Sequence, residues 1–253
     1  MERWTDKVAV VTGSSSGIGA AVSLELVKHG MQVAGLARRI SKVQELADSL
    51  TGGPGKLLPI RCDISKEDDI LCAFAEVKKK LGGVDVLVNN AGVMYESLLS
   101  EGSSDEWRNM FDVNVLGLSV CTREALKIMR ERDLSSGHIV HINSIAGHYD
   151  VSMPGFHMYS ATKHAVTALT EGLRRELVSQ NSRIRVTSVS PGLVDTEMLR
   201  AGARKSLNTD ELYARVPSLK PRDVADAVVY VLAAPPHVQI HELTVKPVGE
   251  INL

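Results

Sequence analysis

Residues 7–19 read KVAVVTGSSSGIG, and this stretch decides the fold. The apolar run 7–11 predicts a β-strand, and the stretch 17–29, which Gly30 ends, predicts an α-helix. Glycines between a strand and a helix let main-chain N–H groups approach a phosphate at the positive end of the helix. A turn without a ligand is the alternative for this motif taken alone. The candidate phosphate-binding residues are Gly13, Ser15, Ser16, Gly17, Ile18 and Gly19.

Short apolar runs alternate with amphipathic stretches along the rest of the chain. Further strands are predicted at 32–37, 56–61, 84–88, 137–142, 184–189 and 242–246, and further helices at 41–50 (opened by a Ser41 cap), 67–81, 105–132, 159–179 and 221–233. Because strands separated by helices form right-handed βαβ units, this order predicts an α/β, Rossmann-type three-layer sandwich with a doubly wound, mostly parallel seven-stranded sheet. We expect residues 1–253 to form one domain, with a substrate loop at about 196–220.

The composition is that of a globular protein, because 44% of the 253 residues are apolar and 23% are charged. A net charge of −1 creates no field that would collect nucleic acid or an anionic membrane, so neither is expected as a partner. Apolar runs are far shorter than the roughly 20 residues of a membrane helix, and no apolar signal segment begins the chain, so we expect no integral membrane segment. Cys62, Cys72 and Cys121 form no CxxC pair, which predicts free thiols, no metal and a cytoplasmic location.

The end of the second predicted strand bears on the choice of dinucleotide. An acidic residue at this point accepts hydrogen bonds from the ribose hydroxyls, but the sequence here is Ala37-Arg38-Arg39. No carboxylate is present in that tripeptide to repel a 2′-phosphate, and two guanidinium groups can pair with it. Arg38 and Arg39 therefore predict NADP(H) as the cofactor, and the alternative is that both are ordinary solvated charges.

Two further strand ends are expected at the same edge of the sheet. Asp63, after the third strand, is a candidate acceptor for the adenine amino group, with a helix cap as the alternative. The sequence Asn89-Asn90-Ala91-Gly92 ends the fourth strand, and its small residues leave room for a cofactor. Taken alone, that segment is an ordinary turn.

Four polar residues predict a site of hydride transfer. Tyr159 and Lys163 are four residues apart in a predicted helix and share one face, Ser144 follows the fifth strand, and Asn114 belongs to the preceding long helix. Removal of a hydride from an alcohol also requires removal of its proton, and a free tyrosine, with a pKa of about 10, is a weak base at neutral pH. A neighbouring ammonium favours the phenolate. Each residue alone is more often a packing or capping residue, so the hypothesis depends on their convergence beside a nucleotide.

Six motifs occur in order: TGSSSGIG at 12–19, NNAG at 89–92, DVN at 112–114, INS at 142–144, YSATK at 159–163 and PGLVDT at 191–196. With them, the chain resembles the short-chain dehydrogenase/reductase family over nearly its whole length. The resemblance implies that Tyr159 is the general acid/base, that Lys163 binds the nicotinamide ribose and lowers the pKa of Tyr159, and that Ser144 orients the substrate oxygen. Asn114 would hold a water in a proton relay. The implied cofactor contacts further include Asp63, Ile64, Asn90, Ala91, Gly92, Pro191, Val194 and Thr196.

Longer stretches narrow the resemblance. CTREA at 121–125, YSATKHAVTALTEGLR at 159–174 and LKPRDVADAVVYVL at 219–232 resemble the branch that contains the farnesol dehydrogenases and SDR family member 11. This branch implies NADP(H) and a lipophilic substrate. It favours an oxidoreductase that interconverts an alcohol and a carbonyl, with an isoprenoid alcohol such as farnesol as the substrate. The alternative is an NADPH-dependent reductase of steroid ketones (17β or 3-keto) or a general carbonyl reductase.

The expected substrate pocket is apolar and contains adaptable methionines, which favours a medium-sized apolar substrate. The candidates beside Ser144 and Tyr159 are Met94, Met153, Phe156 and Met198, with Tyr95, His148, Val151, Leu199, Leu207, Leu212 and Tyr213 as further loop residues. The alternative is that half of these side chains pack against their own loops. We interpret His148 and His157 as exposed loop histidines rather than catalytic groups.

Assembly and function class have alternatives as well. Many members of the family carry a Gly-Gly pair after the last strand, where this chain has LTVKPVG at 243–249. We expect a homodimer through helices 105–132 and 159–179, or a homotetramer. A nucleotide-sensing protein without catalysis is disfavoured by the intact Ser144, Tyr159 and Lys163. An epimerase or dehydratase of the extended group needs a longer C-terminal domain.

Overall fold

Strands that alternate with helices build one sheet in this protein, for which a computed structural model describes residues 1–132, 136–149, 154–203 and 208–250. The described strands are β1 (Val8–Thr12), β2 (Gln32–Ala37), β3 (Lys56–Arg61), β4 (Val86–Asn89), β5 (His138–Ile142), β6 (Arg185–Pro191) and β7 (Glu242–Val245). Their order is β3-β2-β1-β4-β5-β6-β7, and every pairing among them is parallel. The predicted Rossmann-type, seven-stranded α/β fold is confirmed.

Helices cover both faces of the sheet. The described helices are α1 (Gly17–Lys28), α2 (Ile40–Ser49), α3 (Glu67–Leu81), α4 (Ser104–Phe111), α5 (Leu118–Glu131), α6 (His157–Ser179), α7 (Glu197–Gly202), α8 (Thr209–Arg215) and α9 (Pro221–Ala233). In β1, Ala9 and Val11 belong to an apolar cluster with residues of α1 and α9, whereas Val8 and Val10 belong to another with residues of α3 and α5. Burial on both faces explains why the strands are continuous apolar runs.

The order of the strands reverses beside β1. This strand pairs with β2 on one side and with β4 on the other, so the connections that follow β1 and β4 leave in opposite directions. Such a reversal opens a crevice at the carboxyl ends of the strands. Residues that follow these strand ends therefore line a common cleft.

Three local predictions differ from the structure. A π-helical turn (Asp112–Gly117) divides the predicted helix 105–132, and apolar periodicity does not distinguish such a turn from regular helix. The helix predicted at 41–50 begins at Ile40, and within the described residues no side chain caps its start, so the Ser41 cap is wrong. The described part of the predicted loop 196–220 contains α7 and α8, which are too short to show a clear period.

The described residues contain neither a helix suited to a membrane span nor a cluster of side chains suited to a metal ion. Of the helices in the described ranges, none combines the length and the hydrophobicity that a membrane span requires. In the same ranges, His, Cys, Asp and Glu side chains do not gather in a group that could hold a metal ion. Cys62 and Cys121 are buried and Cys72 is exposed, and all are free thiols.

Candidate active site

The turn between β1 and α1 packs directly against the segment that follows β4. Gly13 has a φ of +73°, and a Cβ there would lie 2.8 Å from Asn90 Nδ2 and 2.9 Å from Ala91 Cα. The Thr12 hydroxyl joins the two segments, because it accepts hydrogen bonds at 3.0 Å from the main-chain N–H groups of Asn90 and Ala91. Only glycine is compatible with this approach and this φ. The turn thereby holds the first residues of α1 at the wall of a cleft.

The cleft has a volume of about 580 Å³ and follows the carboxyl edge of the sheet. The predicted cofactor-binding residues that line it are Gly13, Ser15, Ser16, Gly17, Ile18, Arg38, Arg39, Asp63, Ile64, Asn90, Ala91, Gly92, Tyr159, Lys163, Pro191, Val194 and Thr196. Gly19 does not line the described cleft. A Cβ on Gly19 would meet Asn90 Nδ2 and the carbonyl oxygen of Gly13, so this glycine is required for packing beneath the turn.

Tyr159, Lys163 and Ser144 converge in one corner of the cleft. Tyr159 lies in the first turn of α6 and Lys163 lies one turn later on the same face. Ser144 lies two residues beyond β5 and lines the same cleft, where its side chain acts to lower the pKa of Tyr159. The buried Lys163 Nζ donates to the carbonyl oxygen of Ile142 at 2.9 Å and lies 5.7 Å from the centre of the Tyr159 ring. A phenol, a hydroxyl and an ammonium group thus face the same space.

Burial decides the proton affinities of this corner. It raises the pKa of Tyr159 to about 12, although the hydrogen bond from Ser144 acts in the opposite direction. It lowers the pKa of Lys163 to about 8. Desolvation of the phenolate outweighs the other influences on the pKa of Tyr159, and the lowering of this pKa by Lys163 stays a prediction. At neutral pH, Tyr159 is a protonated hydrogen-bond donor and Lys163 is mainly an ammonium ion.

Asn114 lies in the π-helical turn and connects three elements. Its Oδ1 accepts from the main-chain N–H of Val93 at 2.8 Å, and its Nδ2 donates to the carbonyl oxygen of Val93 at 2.9 Å and to Thr162 Oγ1 at 3.1 Å. These bonds join the turn to the segment after β4 and to α6. The carboxamide therefore supports the wall of the cleft, and its part in a water relay stays a prediction.

The two arginines after β2 have different surroundings. Arg39 donates to Ser16 Oγ at 2.7 Å and to Ser15 Oγ at 3.3 Å, and forms an ion pair of 2.9 Å with Glu197. Arg38 is exposed at the wall of the cleft and forms no hydrogen bond or ion pair with the described residues. Arg38 is thus available to an anionic ligand, whereas Arg39 already has a carboxylate partner.

Asp63 lines the cleft without capping a helix. Its Oδ1 accepts from the main-chain N–H of Ser65 at 3.1 Å and from the Ser65 hydroxyl at 2.8 Å. The N-cap residue of α3 is Lys66, so the alternative that Asp63 is a helix cap is wrong. Its contact with adenine stays a prediction.

The opposite end of the cleft is mainly apolar. The predicted substrate residues that line it are Met94, Tyr95, Phe156, Met198, Leu199 and Leu212, beside Ser144 and Tyr159. Tyr213 instead donates to the carbonyl oxygen of Val194 at 3.0 Å, outside the described lining. Val151, Met153 and Leu207 lie outside the described residues.

The two histidines are not exposed loop residues. His148 is half-buried, with Nε2 at 3.0 Å from Ser190 Oγ and 3.3 Å from Glu242 Oε1. His157 is exposed, but it begins α6 rather than lying in a loop. The predicted exposure is therefore wrong for His148, whereas His157 is exposed as predicted but belongs to a helix rather than a loop.

Sequence reasoning missed Glu250, which reaches the cleft from the end of the described chain. Its side chain is 1% exposed, and its Oε2 accepts from the main-chain N–H of Leu193 at 3.0 Å. Lys246 Nζ lies 3.4 Å from its other carboxylate oxygen. A Cβ on Gly192 would meet this carboxylate, so Glu250 fills the space under the segment 191–196. No local pattern reveals a contact between residues 57 positions apart.

Comparison with known proteins agrees with this geometry. A sequence profile described as short chain dehydrogenase matches residues 7–206. A Bos taurus protein named Dehydrogenase/reductase SDR family member 11 is 48% identical over 255 residues, with 100% of both chains covered. An Aedes aegypti protein named Farnesol dehydrogenase is 48% identical over 252 residues, with 99% of both chains covered.

Solved structures with the same fold carry either dinucleotide. The closed form of a serine dehydrogenase complexed with NADP⁺ has a TM-score of 0.86 and 32% identity, with 96% of both chains covered. A short-chain dehydrogenase/reductase from Burkholderia phymatum in complex with NAD has a TM-score of 0.84 and 26% identity, with 96% of this chain and 90% of that chain covered. These similarities support a dinucleotide site and do not distinguish NADP from NAD.

The contact between Gly192 and Glu250 predicts the effect of a methyl group added at position 192. In Gly192→Ala the added methyl displaces the buried carboxylate, so we expect weaker dinucleotide binding, by about tenfold, because the segment 191–196 shifts. Fluorescence titration with the reduced dinucleotide measures it. The control is the double variant Gly192→Ala/Glu250→Ala, which should bind no more weakly than Glu250→Ala alone, since the clash is absent. Additive losses in the double variant would contradict the contact.

Proposed function

The chain belongs to the short-chain dehydrogenase family, and on that premise we propose that this oxidoreductase uses NADP(H) to interconvert an alcohol and a carbonyl on a lipophilic substrate, an isoprenoid alcohol such as farnesol. The predicted resemblance to the family and to its branch of farnesol dehydrogenases and SDR family member 11 is confirmed. One observation carries the proposal: the Tyr159 phenol, the Ser144 hydroxyl and the Lys163 ammonium line one cleft, with Lys163 Nζ 5.7 Å from the centre of the Tyr159 ring.

The glycine-rich turn fits the pyrophosphate of a dinucleotide. Gly13, Ser15, Ser16 and Gly17 line the cleft, so the backbone of the turn forms part of its wall and is within reach of a ligand. When bound, the nicotinamide ring donates or accepts the hydride. The segment 191–196, supported by Glu250, also lines the cleft and brings Thr196 against Gly17 of the turn, and Thr196 is the proposed donor to the carboxamide.

The residues of the corner have distinct proposed roles in carbonyl reduction. As the carbonyl carbon gains a hydride, the Tyr159 Oη–H bond breaks and its proton passes to the substrate oxygen. The Ser144 hydroxyl holds that oxygen and donates a hydrogen bond to the charge that develops on it. The Lys163 ammonium stabilises the phenolate left behind and is held toward the ribose by Ile142. Alcohol oxidation follows the same path in reverse, with the phenolate as base.

Arg38 and Arg39 support NADP(H) over NAD(H). Both guanidinium groups lie at the wall of the cleft after β2, where a carboxylate would select the unphosphorylated ribose. The exposed Arg38 can pair with a 2′-phosphate without the loss of an existing partner.

The apolar wall supports a lipophilic substrate. Met94, Phe156 and Met198 line the cleft and offer dispersion contacts but few hydrogen bonds to a sugar or an acid. A relative named Farnesol dehydrogenase is 48% identical to this chain. The second candidate is reduction of a steroid ketone or another carbonyl compound, which the same apolar wall can contact.

The location and the assembly of the protein are proposed from its free cysteines and its exposed leucines. Free cysteines favour the cytoplasm as the proposed location. Leu116 and Leu169, near or on α5 and α6, are 58% and 37% exposed, which favours a homodimer through these helices. A homotetramer and the single domain across 1–253 stay predictions.

Removal of one oxygen atom tests the proposed role of Tyr159. In Tyr159→Phe, turnover of farnesol with NADP⁺ should fall at least about 100-fold, because the proton-transfer group is lost. The affinity for NADPH should change less than about threefold, since the ring and Lys163 remain. Absorbance of the reduced nicotinamide measures turnover, and fluorescence titration measures binding. Normal turnover by this variant would refute the mechanism.

The raised pKa of Tyr159 predicts that alcohol oxidation and carbonyl reduction depend differently on pH. Because the pKa is raised to about 12, the phenolate population grows as the pH rises through the neutral range, whereas the phenol population stays nearly constant. Between about pH 6 and 8, initial rates of alcohol oxidation should rise and those of carbonyl reduction should stay flat. Stopped-flow measurement of the hydride-transfer step checks this. An oxidation rate that falls with pH would contradict it.

Loss of a guanidinium group tests the choice of cofactor. Arg38→Ala should weaken NADPH binding about 10- to 100-fold and change NADH binding little, because a charge-assisted pair with the 2′-phosphate is lost. Arg61→Ala is the matched control, since Arg61 ends β3 at the same edge of the sheet but lies outside the described lining. Equal loss of NADPH and NADH affinity in Arg38→Ala would contradict the 2′-phosphate contact.

A further inference from the structure

Glu197, the first residue of α7, holds Arg39 beside the phosphate-binding turn. Its Oε2 lies 2.9 Å from an Arg39 nitrogen, and the same nitrogen donates to Ser16 Oγ at 2.7 Å. Arg39 and the Ser16 hydroxyl both lower the pKa of the Glu197 carboxyl. The three side chains come from distant parts of the chain and close a small polar cluster at the wall of the cleft.

This cluster gives the two arginines that follow β2 different surroundings. Arg38 has no hydrogen bond or ion pair in the part of the chain that the structure describes, whereas the charge of Arg39 is compensated by Glu197. A 2′-phosphate that reached this wall would meet one available guanidinium group and one that is already paired. It would also meet the negative charge of Glu197, which disfavours a second anion nearby.

We propose that Glu197 competes with the 2′-phosphate of NADP(H) for Arg39, so that its carboxylate sets the ratio of NADPH to NADH affinity. The inference rests on the proposed NADP(H) site and adds a residue that restrains its selectivity. Arg38 makes the first contact with the phosphate. Arg39 then exchanges the carboxylate for the phosphate, while NADH, which has no 2′-phosphate, leaves the ion pair intact.

The exchange is physically accessible because the ion pair is exposed. The side chains of Arg39 and Glu197 are 53% and 63% exposed, and exposed ion pairs contribute little stability. Arg39 and Ser16 lower the pKa of Glu197, so the carboxylate stays charged at neutral pH. Glu197 therefore repels an incoming phosphate without being held so firmly that Arg39 cannot leave it.

Replacement of the carboxylate by its neutral isostere tests the competition. In Glu197→Gln, the ratio of the Kd for NADH to the Kd for NADPH should rise about three- to tenfold at low ionic strength, because repulsion is removed and Arg39 is released. Fluorescence titration of the purified protein with each reduced dinucleotide measures both constants without turnover. The ratio cancels any effect on the pyrophosphate, which both dinucleotides share.

Two further variants make the result specific. Glu131→Gln removes the same charge from an exposed ion pair with Lys78, and should leave the ratio unchanged. In an Arg39→Gln background, Glu197→Gln should raise the ratio clearly less than in the wild type, since only the direct repulsion of the phosphate is left to remove. An unchanged or lower ratio in Glu197→Gln, or the same increase when Arg39 is absent, would overturn the inference.

The same titrations separate this inference from the proposed function. A wild-type ratio near one that Arg38→Ala does not alter would show that the NADP(H) proposal itself is wrong. A wild-type preference for NADPH that Arg38→Ala removes and Glu197→Gln leaves unchanged would refute only the role of Glu197.

Discussion

The parallel sheet brings the carboxyl end of every described strand to one edge, and this constraint decides where the functional groups lie. The glycine-rich turn follows β1, the arginines follow β2, Asp63 follows β3 and Ser144 follows β5. Residues that are far apart in sequence therefore share one cleft. The close approach of Gly13 to Asn90 and Ala91 shows this constraint directly, because it joins the turns after β1 and β4.

Burial controls the chemistry at the end of the cleft. The same desolvation that keeps Tyr159 protonated lowers the proton affinity of Lys163, so their pKa values, about 12 and about 8, lie further apart than those of the free side chains. Ser144 opposes the effect on Tyr159 through its hydrogen bond. Before the reaction, Tyr159 and Lys163 therefore do not form a phenolate–ammonium pair. Tyr159 enters the reaction as a phenol that can donate its proton.

Much of this arrangement could be predicted from the sequence, because it depends on local patterns. The apolar runs, the turn 12–19 and the spacing of Tyr159 and Lys163 each express a rule that acts over a few residues. The contacts of Glu197 and Glu250 could not be predicted, since each joins positions that only the folded chain brings together. The π-helical turn around Asn114 was also invisible, because one extra residue per turn hardly changes the apolar period. The rise in the pKa of Tyr159 could not be predicted either, because a motif does not tell how strongly its side chains are desolvated.

The central claim is that Tyr159 is a half-buried, protonated phenol that lines the cleft with Ser144 and gives its proton to the substrate. The most direct measurement is a pH titration of the protein labelled with ¹³C at the tyrosine ring, with the Tyr159 signal assigned by its loss in Tyr159→Phe. The account predicts that this signal still has its phenol chemical shift at about pH 10, where an exposed tyrosine is half titrated. A Tyr159 signal that titrates below about pH 9 in the protein alone would contradict it.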